Sequence, residues 1–141
     1  MAFSNYLIKI GENASSLTKI PLKYIQAKSY KVTPNRRQDL DPYRDANGQL
    51  HRNTLSHKPS TITFSTTPMW NDDMAALMSL IRSSYAIAKE RKVYLDYFCP
   101  DTNGYNTGWF YVPDIEYNID LVDTKKSRLF YYPSTIEFIE Y

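Results

Sequence analysis

The chain has 141 residues, 43% hydrophobic and 15% aromatic, enough to bury about two-thirds of its unfolded surface in one domain spanning 1–141. A net charge of +2 is too small to bind a polyanion by charge alone, and a lone cysteine, Cys99, excludes an internal disulfide and suits a reducing compartment. No leading apolar segment reads as a signal peptide and no apolar run approaches the ~20 residues of a membrane span, so the protein is expected to be made and kept in a cytoplasm, or released from one by lysis.

Alternation of Tyr6, Ile8 and Ile10 against Asn5, Leu7 and Lys9 predicts a strand over 4–10. Gly11-Glu-Asn breaks it, and Ile20-Pro21 marks a loop exit. Leu22 to Thr33 reads as a longer strand with a bulge near Ala27-Lys28. Lys58 to Thr66 reads as another, with Ile62 and Phe64 inward. Pro68 ends it. Met74, Leu77, Met78, Ile81, Tyr85 and Ala88 then recur at three and four residues, predicting one helix over about 71–90. Asn71 or Asp72 is its expected cap, Asp72 and Asp73 suit its positive end, and Lys89, Arg91 and Lys92 its negative end. Val93 to Phe98 alternates and is expected to pair back with Gly108 to Val112 through an Asn103-Gly104 turn. Ile115 to Leu121 and Leu129 to Tyr141, interrupted at Pro133, complete the set. Thirteen tyrosines suit half-buried pleated surfaces and wet interfaces. The fold class expected is mainly β (α+β): an antiparallel β-sandwich or open barrel of seven to eight strands with one helix packed on it.

The stretch from Pro34 to His57 has almost no apolar periodicity, although strands flank it. Connections beyond ~15 residues are rare without a use. Asn47-Gly48 is read as a type I′ turn at the tip of a long hairpin arm, which has too little apolar surface to be stable by itself. Lys31 to Lys58 holds six basic residues and three Asp, a net +3, leaving −1 for the rest. Interleaved charges suit a salt-bridged protein interface better than a polyanion. The residues expected to carry that contact are Arg36, Arg37, Asp41, Tyr43, Arg44, Asn47, Gly48, His51 and Arg52. The same basic arm, with Tyr43 for stacking, leaves nucleic acid or a host component as a second reading.

The chemical constellations are poor. His51 and His57 lack a third metal ligand at suitable spacing. Asp96, Asp101, Asp114, Glu116, Glu137 and Glu140 are scattered, with no pair nominated for glycosidic acid–base work. There is no Gly-x-Ser-x-Gly elbow, and four glycines leave no phosphate-cradling loop. Cys99 reads as a small buried hydrophobe. No enzyme, cofactor or metal is expected.

Arg44-Asp-Ala-Asn-Gly-Gln-Leu-His-Arg52, followed by Lys58, an alternating strand, a helix and the Tyr94-Leu-Asp-Tyr97 strand, resembles small proteins encoded among tail genes of phages and prophages of Gram-positive bacteria. The order of elements is also similar to the tail-tube superfamily, whose members pair a β-sandwich or barrel with one helix and a long loop that reaches into the neighbouring ring. The resemblance implies a virion tail protein that self-assembles as a ring or stack, hexameric if tube-like, with other tail proteins as partners. A baseplate-proximal or tail-completion role is the alternative.

Overall fold

Short runs of alternating residues become strands in the computed structural model, which describes residues 3–34, 43–51 and 59–141. The strands are β1 (Ile8–Gly11), β2 (Leu17–Lys19), β3 (Lys31–Thr33), β4 (Tyr43–Arg44), β5 (Leu50–His51), β6 (Thr61–Ser65) and β7 (Met69–Trp70). Helix α1 (Asn71–Ser83) follows, then β8 (Lys92–Cys99), β9 (Gly104–Tyr111), β10 (Ile119–Asp123), β11 (Arg128–Tyr131) and β12 (Thr135–Glu140). Seven of them form an antiparallel sheet in the order β2-β1-β8-β9-β12-β6-β3, open at both ends. A three-stranded sheet, β10-β11-β7, lies beside α1, and β4 pairs with β5 separately. The fold is mainly β with one helix, as the alternation implies, and the large sheet does not close into a barrel.

The core lies between one face of the large sheet and α1. Ile8, Ile10, Ile62, Phe64, Val93, Leu95, Phe110, Ile136 and Phe138 project from the sheet. Met74, Leu77, Met78 and Ile81 meet them from the helix, and buried Cys99 joins the same cluster. Tyr6 departs from its expected face. It is buried but sits outside this cluster. Its ring stacks on Tyr105 at 4.3 Å, Lys9 Nζ lies 4.5 Å from its centroid, and its hydroxyl donates to Asp96 Oδ2 at 2.9 Å. Asn5 has φ 64°, and this left-handed residue breaks the alternation just before Tyr6.

Three elements differ from what the sequence predicts. The expected strand over 22–33 is a 3₁₀ turn at Leu22–Tyr24, a bridge from Ile25 to Thr66, a turn, and only then β3. Ser29 N–H and Oγ both bond the Gln26 carbonyl, and Lys28 takes φ 68°, so the irregularity is a turn rather than a bulge. The helix stops at Ser83, because Ser83 and Ser84 hydroxyls bond the Leu80 carbonyl, the local competition that serines bring to helix ends. Tyr85 and Ala88 fall beyond it, and its last-turn cation is Arg82 rather than Lys89, Arg91 or Lys92. Neither expected cap forms: the N-cap is Trp70, and Asn71 Oδ1 instead accepts from Leu129 N–H at 3.1 Å, tying the helix start to β11. Asp72 and Asp73 occupy the first turn as expected. In the stretch read as a strand over 115–121, only residues from Ile119 onward are extended.

Gly11 ends β1 where β2 returns. A Cβ there would fall inside the Ser16 carbonyl group, which is backbone and cannot swing away. Gly11→Ala is therefore expected to lose about 2 kcal/mol, in the range of overpacked sites, measured by urea unfolding.

Two phenols carry a pH signature. Burial, then the hydrogen bond to Asp96, pushes Tyr6 up to about 12. Burial also pushes Tyr30 up, and its hydroxyl donates to the Phe98 carbonyl at 2.7 Å. An unfolded tyrosine releases its proton near pH 10. The stability these neutral phenols contribute is thus complete below pH 10 and is lost as pH rises through the folded values. Thermal melts from pH 9 to 12 should show a falling midpoint, with a shallower fall in Tyr6→Phe. An unchanged slope in that variant would remove Tyr6 as a cause.

Candidate functional site

The turn of the β4–β5 hairpin is built by one aspartate. Asp45 Oδ1 accepts from Asn47 N–H at 2.9 Å and Gln49 N–H at 3.0 Å, while its carbonyl accepts from Gly48 N–H at 2.9 Å. Gly48 takes φ 80°, whereas Asn47 is not in the left-handed region. A type I′ turn needs positive φ at both central residues, so this is a type I turn ending on a left-handed glycine. Arg44 Nη1 donates to the Gly48 carbonyl at 2.9 Å and closes the loop. The pairs Tyr43–His51 and Arg44–Leu50 continue the hairpin. The second Asn-Gly is also not type I′: there Asn103 is the left-handed residue, with φ 51°.

Tyr43 is 58% exposed and Leu50 44%. An amphipathic ring and an aliphatic side chain thus stand exposed on one small hairpin, and neither belongs to the core cluster. Of the nine residues expected to make contacts, Tyr43, Arg44, Asn47, Gly48 and His51 lie together on this hairpin. Arg36, Arg37, Asp41 and Arg52 lie outside the described residues, as does His57.

The carboxylates converge more than their spacing suggested. Asp114, Glu116 and Glu137 line one open groove with Asn118, Pro133, Ser134 and Thr135. Asp114 is bound to Arg91 at 2.7 Å with its side chain 96% exposed, the setting of a solvated surface pair rather than a tuned acid. Among the described residues, no three His, Cys, Asp or Glu are placed to hold a metal ion. None of the described helices is long and apolar enough to cross a membrane.

A surface that the periodicity misassigned lies on β10. Ile119, Leu121 and Val122 are each more than half exposed, at 52%, 53% and 59%. Tyr117 and Tyr132 are exposed beside them. Leu121 and Val122 are neighbours on a strand and so point to opposite faces. Among the described residues, both faces of β10 are therefore exposed. The sequence signal for this was charge: 114–123 holds Asp114, Glu116, Asp120 and Asp123 with no Lys or Arg.

The model of a family described as "Family of unknown function (DUF6711)" matches residues 1–141. The chain belongs to this family. No protein of curated function matches it in sequence. Among solved structures, a chain from the tail of an empty GTA particle, obtained with helical refinement and C6 symmetry, shares the fold of this DUF6711 member. The superposition covers 97% of this chain and 91% of that one, with TM-score 0.50 and 12% identity. At that identity the likeness is one of fold.

Proposed function

We propose that this protein is a structural subunit of a phage or prophage tail, of tail-tube type, that associates with copies of itself into rings. The observation that carries this reading is the fold shared, over nearly the whole length of both chains, with a chain of a C6-symmetric tail. The arm supports it. A polar hairpin with an exposed Tyr43 and Leu50 gains most by ordering against another molecule, because an isolated two-stranded hairpin is marginal in water. Open sheet edges support it too, since heterologous edge contacts that repeat around an axis close into rings or stack as filaments. The chain is one domain with its arm at 34–57, works without catalysis, and resides in the virion tail. Six copies per ring is the expected number.

The test is direct. Purified protein, concentrated and imaged by negative-stain electron microscopy, is expected to form rings or tubes with six-fold averages. Protein that stays monomeric by sedimentation at every attainable concentration overturns the reading.

A further inference from the structure

Among the described residues the large sheet ends in β2 and β3 and the small one in β10 and the two-residue β7; of these ends β2, β3 and β10 carry charged side chains. They differ in charge. β2 carries Lys19 and β3 carries Lys31, both exposed, whereas β10 carries Asp120 and Asp123. An exposed edge is a template for pairing, and native proteins blunt it with charges and bulges. β10 has both devices. Between Ile119 and Leu121 the register against β11 slips by one, leaving Asp120 as the extra residue. Yet three aliphatic side chains stay exposed beside it. Such a strand is guarded against indiscriminate partners while still gaining from a matched one.

We infer that β10 of one copy pairs with β3 of a second copy, Asp120 facing Lys31. The inference rests on the self-assembling reading above and names the surface that receives the neighbour. Asp123 is already engaged: its Oδ1 accepts from Lys125 and Lys126 N–H, and its Oδ2 lies 3.5 Å from Arg128 Nε. Asp120 is exposed and makes no such contact among the described residues. Of the two basic edges, Lys19 is turned onto its own molecule, with Nζ 5.4 Å from the Tyr6 ring centroid. Lys31 is exposed on β3, and among the described residues no ring lies beneath its ammonium. β3 also runs directly into the arm, so a neighbour holding β3 is placed to receive the arm as well. Pairing β10 with another β10 instead sets two acidic strands side by side, and like charges across strands repel.

Charge exchange tests this. Asp120→Lys and Lys31→Asp should each raise the concentration needed for assembly about tenfold, since each turns a cross-strand attraction into a repulsion. The double exchange should return it to within about threefold of the unaltered protein. Both positions are exposed, so melting temperatures should not move. An amine-to-carboxyl cross-linker on mixed isotope-labelled copies should join Lys31 to Asp120 between molecules. If the double exchange assembles no better than the worse single, or Asp120→Lys assembles like the unaltered protein, the inference is overturned while ring formation stands. If the unaltered protein never assembles, the underlying reading fails first.

Discussion

Deleting Arg37 to Arg52 leaves a folded, monomeric protein that no longer assembles. The fold survives because no described residue between Thr33 and Ser60 belongs to the core. Thr33 and Thr61 are register partners on adjacent strands, so the remaining residues can close the gap as an ordinary loop. Shortening a flexible connection changes closure entropy by under about 1 kcal/mol, and the melting temperature should hold within a few degrees. Assembly should suffer much more. Tyr43 and Leu50 leave with the deleted segment, as does Arg44. A loss of about 3 kcal/mol per contact corresponds to more than a hundredfold in concentration. Circular dichroism checks the fold, and sedimentation with electron microscopy checks the assembly. A deletion that unfolds the monomer, or one that still forms rings, contradicts the arm's proposed role.

Much of the fold was legible because alternation is a strong signal wherever one face of a strand meets a core. Ile62 and Phe64, or Val93 and Leu95, show that pattern and are fully buried. It failed where alternation had another cause. Tyr117, Ile119 and Leu121 repeat with the same period, but Tyr117 lies before the strand, and Ile119 and Leu121 on it stay more than half exposed. Periodicity reports what a strand would bury, and says nothing of whether a partner is present. The helix stripe overran for a related reason. Tyr85 continues the spacing, but two serine hydroxyls bond the last turn before it arrives. Short-range hydrogen-bond competition of this kind is invisible to apolar spacing. The β4–β5 hairpin was legible from its Asn-Gly tip. Its turn type was not, since the Asp45 carboxylate decides that geometry. Strand order was also out of reach. Pro133 divides the last segment into β11 and β12, which enter different sheets, and no local pattern reveals that exchange.

That exchange makes the end of the chain decisive for stability. In the order β2-β1-β8-β9-β12-β6-β3, β12 is the strand that joins the two halves of the large sheet. It pairs with β6 through five residues and with β9 through two. Phe138 sits at this seam, fully buried, with its ring 6.4 Å from that of Phe64 on β6. Phe138→Ala removes an aromatic ring from a site whose neighbours, held by ladders on both sides, have little freedom to collapse into the space. The expected loss is about 4 kcal/mol, a large share of the ~5–15 kcal/mol that holds a domain of this kind together. Near the melting point that corresponds to roughly 12 °C for a chain of this size. Phe138→Leu keeps most of the volume and should cost less than half as much. Urea unfolding and calorimetry of the two variants check both figures. Equal, small losses for alanine and leucine would mean that β12 contributes through its backbone ladder and not through the ring it buries.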